Sequence, residues 1–142
     1  MPIGRWRLVR HMKPLKTGTT YQTEVWAKPE DLASAIGNTG VDVVSSPATI
    51  GYLEMACHHI IDPHFEGDEA SVGVGFNFRH LGAAYLDAPI RVFAELIDQS
   101  DKLFTFDVEA TQGGKLIMTG QHQRAVINLD RFLKKTADDR KG

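Results

Sequence analysis

The chain has 142 residues, 42% of them apolar, and 16 basic against 18 acidic side chains give a formal charge of −2. That length supports one domain around one core, and a total so near neutral points to no nucleic-acid partner. A single cysteine excludes an intrachain disulfide framework and fits the reducing cytoplasm; no run of about 20 apolar residues would make a membrane span, and no apolar leader is read at the start.

Residues 1–16 carry Arg5, Arg7, Arg10, Lys13 and Lys16 with no acidic side chain. "HM" at 11–12 looks like a second start point, so residues 1–11 are read as an N-terminal extension or expression remnant and 12–142 as a single domain. "TTYQTEVWA" (19–27) reads as a first strand, and "KPEDLASAIG" (28–37) as a short helix with Pro29 near its start and Gly37 as its stop. A Gly-containing connection (38–44) leads to the long helix "SPATIGYLEMACHHII", for which Ser46 is the predicted N-cap and Pro47 the first helical residue. Ile50, Leu53, Cys57 and Ile61 fall on one face at helical spacing, and so does Glu54.

"SVGVGFNFRH" (71–80) alternates as a strand, with Val72, Val74, Phe76 and Phe78 predicted on one face and His80 next on that face. Two more strands (89–99 and 102–111) follow, and "GG" (113–114) turns the chain into a last strand, 115–128. "LDRFLKKTA" is a short final helix, and "DDRKG" should fray. A strand, a helix, then hairpin-connected strands argue for the α+β class. One long apolar helix wrapped by an antiparallel sheet describes the hotdog arrangement, for which a homodimer is expected; other antiparallel α+β folds with one principal helix fit the pattern almost as well.

Glu54 and His80 are polar exceptions on apolar faces. An unpaired buried carboxylate costs several kcal/mol, and an imidazole opposite would supply a hydrogen bond and a counter-charge. The two are therefore expected to share one partly buried site. Metal binding is disfavoured: H-E-x-x-H is absent, and neighbouring His58 and His59 point to different helix faces. "GVGFNF" lacks the third glycine and the following helix of a nucleotide fingerprint. Cys57, on the apolar stripe, reads as core.

Taken together, "SSPATIGYLEMAC", "SVGVGFNFRHLGAA" and "GQHQRAVINLDRF" resemble the hotdog thioesterase family typified by fluoroacetyl-CoA thioesterase, from about Met12 to Phe132. The resemblance implies a Thr, Glu and His constellation. Its Glu falls on Glu54, its His on His80, and its Thr on Ser46, where this chain keeps the hydroxyl and loses the methyl. It implies hydrolysis of a short acyl-CoA thioester, with CoA as part of the substrate and no separate cofactor. Glu54 would be nucleophile or general base, His80 would assist the leaving thiolate, and Ser46 would hold Glu54 or a water. Gly73 or Gly75 would admit substrate close to backbone. Arg124 would lie near the site, meet a CoA phosphate, or be an exposed strand arginine. No aromatic residue lies between Trp26 and Tyr52, so a lid over the acyl group would have to come from Leu32, Ile36 or Val41 to Val44, and fluoroacetyl selectivity is not expected. Ser46 and Glu54 are about 12 Å apart along one helix. Either the helix starts later, or the groups meet across a dimer interface. A hotdog hydratase or dehydratase and a non-catalytic acyl-CoA binder are the alternatives.

Overall fold

In the computed structural model residues 12–101 and 103–141 are described; the extension assigned to residues 1–11 lies outside them. Five strands, β1 (Thr20–Val25), β2 (Glu69–His80), β3 (Ile90–Gln99), β4 (Phe104–Gln112) and β5 (Lys115–Asn128), form one antiparallel sheet in the order β1-β3-β4-β5-β2. Helix α1 (Ser46–Ile61) lies across one face and touches all five strands, and α2 (Leu129–Lys141) follows β5. This is the hotdog fold.

Alternation in β3 and β4 explains the packing. Ile90, Val92, Ala94 and Leu96, with Phe104, Phe106, Val108 and Ala110, are buried against α1. The helix answers with Leu53, Cys57 and Ile61 from the predicted stripe, extended by Thr49, Ala56 and Ile60. Gly113 and Gly114 take φ of 57° and 77°, the left-handed pair that closes a two-residue hairpin between β4 and β5.

Three expectations change. Residues 28–37 form two 3₁₀ turns, Pro29–Asp31 and Ala33–Ile36, not one helix. Leu32 between them is extended, and Ala33 and Ser34 donate their N–H groups to Val43 and Val41, so the segment closes as a small loop pinned at Leu32–Val44. The tail expected to fray continues α2 to Lys141, where Lys135–Asp139 and Lys141–Asp138 pairs lie at helical spacing.

The third change is in β2. Its pairing with β5 shifts between Gly73 and Gly75, a β-bulge. One extra residue flips the side chains that follow. Cross-strand partners share a face, so Ser71 and Gly73 face α1 before the bulge and Phe76, Phe78 and His80 face it afterwards. Val72 and Val74 are therefore not on the face that carries Phe76 and His80.

Candidate active site

Ser45 caps α1: its side chain accepts the Ala48 N–H at 3.1 Å. The cap was expected at Ser46. With Ser45 in that role, Ser46 is the first helical residue, and its hydroxyl is free to meet the Nδ1 of His80 at 2.6 Å. Pro47 has no N–H, and the Ala48 N–H is taken by the cap. The segment leading into Ser46 is firmly tied. Ser45 donates its N–H to the Asp31 carbonyl, Val44 donates to Ala84, and the Tyr52 hydroxyl donates to Asp31 Oδ2 at 2.7 Å.

Two turns further along α1, Glu54 reaches β5. Its Oε2 lies 3.4 Å from Arg124 Nη1, with side-chain exposures of 34% for the glutamate and 8% for the arginine. Arg124 is not an exposed strand residue, and a guanidinium so buried is no surface anchor for a CoA phosphate. Its Nε donates to Ser71 Oγ at 2.9 Å and its Nη2 to the Ser71 carbonyl at 3.2 Å. Its Nη1 also donates to His122 Nε2 at 3.1 Å. Burial lowers the Arg124 pKa, and the Glu54 charge opposes that shift.

His122 is fully buried. Arginine can only donate, so Nε2 must accept; Nδ1 then carries the proton and donates to the Gly75 carbonyl at 2.8 Å. Burial is the largest cause depressing the imidazole's pKa. Phe76 covers the ring with centroids 4.6 Å apart.

Gly73 makes room for the carboxylate. A Cβ there would lie 2.7 Å from Glu54 Oε2, 2.9 Å from Phe76 Cζ and 3.1 Å from His122 Cε1. The glycine thus admits the catalytic candidate itself.

The helix carboxylate does meet a sheet imidazole, but it is the one from His122, through Arg124. Ser46 hydrogen-bonds to His80, not to Glu54, and among the described residues Glu54 and His80 share no hydrogen bond. Eight residues of helix separate Ser46 from Glu54 by about 12 Å, so one chain holds two clusters. Sequence reading overlooked Ser71 and His122. The signal for His122 was its spacing from Arg124: two polar residues at i and i+2 share a face of a strand.

Cys57 is buried near this cluster, and burial pushes its thiol up to about 12, the behaviour of an inert core group. His59 stacks on Tyr21 with centroids 4.7 Å apart, and His58 Nε2 lies 3.5 Å from Asp62. Open depressions on the sheet face away from α1 are lined by Phe93, Glu95, Asp107 and Glu109 and include neither cluster. No described helix is long and apolar enough to cross a membrane.

The model of the fluoroacetyl-CoA-specific thioesterase family matches residues 27–130. A fluoroacetyl-CoA thioesterase of Streptantibioticus cattleyicolor is 31% identical over 91 residues, which span 64% of this chain and 66% of that protein, just under two thirds of its length. The solved fluoroacetyl-CoA thioesterase FlK superimposes with a TM-score of 0.82 at 23% identity, over 89% of this chain and 98% of that one. A thioesterase superfamily member from Thermus thermophilus gives 0.79 at 23% identity, over 91% and 97%. Both likenesses are of fold. The family match covers most of the domain, and the chain belongs to the fluoroacetyl-CoA-specific thioesterase family.

Proposed function

We propose that this protein hydrolyses a short acyl-CoA thioester to the free acid and CoA. Glu54 serves as nucleophile or as general base on water. In the base route it takes a proton from water as the oxygen attacks the thioester carbon; the tetrahedral intermediate then collapses and expels the CoA thiolate. In the nucleophile route the carboxylate attacks, thiolate leaves, and water cleaves the resulting anhydride. His80, oriented by Ser46, protonates the thiolate. Gly73 keeps room for the carboxylate, and Arg124 acts by holding it rather than by binding CoA. CoA enters as part of the substrate, and no cofactor is needed. A protein with one buried thiol fits the cytoplasm.

The observation that carries this reading is the placement of the two clusters along β2. The Ser46–His80 pair sits at the end of the strand, and Glu54 sits beside Gly73 near its middle. β2 is an edge of the described sheet, and Phe76 on it is 51% exposed. An open twelve-residue edge with an exposed aromatic is a template for pairing with a second copy. Antiparallel pairing centred on Asn77, with the bulged residue not counted, would set Gly73 opposite the partner's His80. The proposed homodimer then joins each carboxylate to a serine–histidine pair from the other subunit.

Thiol release across acetyl-, propionyl-, butyryl- and fluoroacetyl-CoA tests the activity. Glu54→Ala and His80→Ala should each lose about 10²-fold or more, and near-normal rates in both would end the assignment. Loss of enoyl absorbance without thiol release would indicate a hydratase instead. Mixing Glu54→Gln and His80→Ala subunits tests the shared site: statistical exchange should restore roughly a quarter of the parent rate, whereas sites confined to one chain would stay inactive. The loop at 32–44 presents Ile36 and Val41 to solvent and no aromatic side chain, so the acyl preference is expected to extend beyond fluoroacetyl.

A further inference from the structure

We infer that His122 is a positioning residue for the carboxylate, acting through Arg124 as a neutral imidazole of fixed tautomer. The inference rests on the hydrolase reading above. Arg124 Nη1 faces two acceptors, Glu54 Oε2 at 3.4 Å and His122 Nε2 at 3.1 Å. The other arms of the guanidinium are fastened to Ser71. Nη1 is thus the arm that approaches the carboxylate, and His122 Nε2 fixes where it points. The imidazole is itself held from both sides, by the Gly75 carbonyl at Nδ1 and by the ring of Phe76 on its face. Gly75 belongs to the β2 bulge. The bulge therefore has a use: it turns a carbonyl toward β5 that sets the tautomer of His122, and the tautomer decides whether Arg124 finds an acceptor. With Nε2 protonated instead, an N–H would confront the guanidinium and push Nη1 away.

The two nitrogens can be separated by substitution. Asparagine places an amide nitrogen near Nδ1 and can still donate to the Gly75 carbonyl, but it does not reach Arg124. Glutamine places its carbonyl oxygen near Nε2 and can accept from Nη1. Thiol release is measured on the acyl-CoA of the panel that the parent turns over fastest, with melting temperature as a control. His122→Asn should lose about 10²-fold in kcat with KM within about threefold. His122→Gln should recover to within about tenfold of the parent, although it buries a comparable amide. Equal rates for the two variants, at either level, would overturn the inference. If both variants fail to fold, the parent decides: at pH 7 its nitrogen NMR shifts should show His122 with Nδ1 protonated and Nε2 bare, and the opposite tautomer or a doubly protonated ring would overturn it. Glu54→Ala in the same assay separates the two readings. If that variant is inactive while His122→Asn runs at the parent rate, only the inference about His122 fails; if Glu54→Ala keeps the parent rate, the hydrolase reading fails with it.

Discussion

Gly73→Ala should remove activity and leave the fold nearly untouched. The added methyl would lie 2.7 Å from Glu54 Oε2. An ordinary contact needs about 3.4 Å or more, so the carboxylate oxygen must retreat by roughly 0.7 Å. The Arg124–Glu54 contact is already 3.4 Å long and would be broken. His122, bonded at both nitrogens, cannot yield much, but its own clearance of 3.1 Å asks for only a few tenths of an ångström. Phe76, the other neighbour, is half-exposed and can swing outward. The backbone is extended here, where alanine gains about 0.5–1 kcal/mol over glycine. These terms nearly cancel, so the melting temperature should move by no more than about 4 °C. A misplacement approaching 1 Å at a reacting group costs about 10²-fold in rate. Thiol release from the preferred acyl-CoA and thermal unfolding, run on the same preparation, check both halves. A kcat/KM within about threefold of the parent would refute the claim that Gly73 exists to seat the carboxylate, and so would a loss of activity that merely tracks unfolding.

Gly120→Ala, on the neighbouring strand, should do the reverse. Its Cβ would meet the backbone of Asn77 and lie 2.7 Å from Phe78 Cα, so β2 and β5 must part, at about 1–3 kcal/mol read from chemical denaturation. Ser45→Ala should cost about 1 kcal/mol by uncapping α1, whereas Ser46→Ala should leave stability within about 0.5 kcal/mol and reduce kcat; the opposite pattern would reverse the roles given to the two serines. Gln112 joins its side chain to the Tyr85 N–H, the Tyr85 carbonyl and the Ala88 carbonyl, so Gln112→Ala should cost about 2–4 kcal/mol and loosen the segment after His80, measurable as faster amide exchange at 81–88. The depressed pKa of His122 means that the unfolded chain, with its ordinary 6.5, binds a proton that the folded chain refuses. Stability should be full above about pH 6.5 and fall as the pH drops below it, and His122→Gln should flatten that slope to the smaller part contributed by the more exposed His58.

Much of the sheet was legible because its signals are local. Alternation over 89–99 and the Gly-Gly pair at 113–114 each fix a structure within ten residues or so, and β3 and its hairpin partner lie where those signals put them. The apolar stripe of α1 was legible for the same reason. Residues 28–37 failed because their helical composition was overridden by partners about ten residues away: the N–H groups of Ala33 and Ser34 go to Val43 and Val41. The faces of β2 failed more instructively. Periodicity assumes that every residue advances the strand by one step, and a bulge inserts a residue that does not count. Nothing in "SVGVGFN" announces it except the paired glycines, which alternation alone reads as an ordinary small-residue face.

The site shows the same limit. Glu54 and His80 stood out as polar exceptions on apolar faces, and Ser46 stood out as a helix start and on the resemblance. The partner of Glu54 could not be read in this way, since it depends on which turn of α1 lies over which strand. Sequence separation misleads here: His80 is 26 positions from Glu54 and His122 is 68 positions away, yet the farther imidazole joins its cluster, because β5 lies next to β2 and the register sets Phe76 against His122 and Gly73 against Arg124. A buried His-x-Arg on one strand face was the available clue, since two such groups cannot be buried together without one acceptor for the guanidinium and another for the ring N–H. Gly75 and Glu54 complete that demand, and so the bulge and the helix carboxylate, which looked like separate irregularities in the sequence, satisfy one hydrogen-bonding requirement.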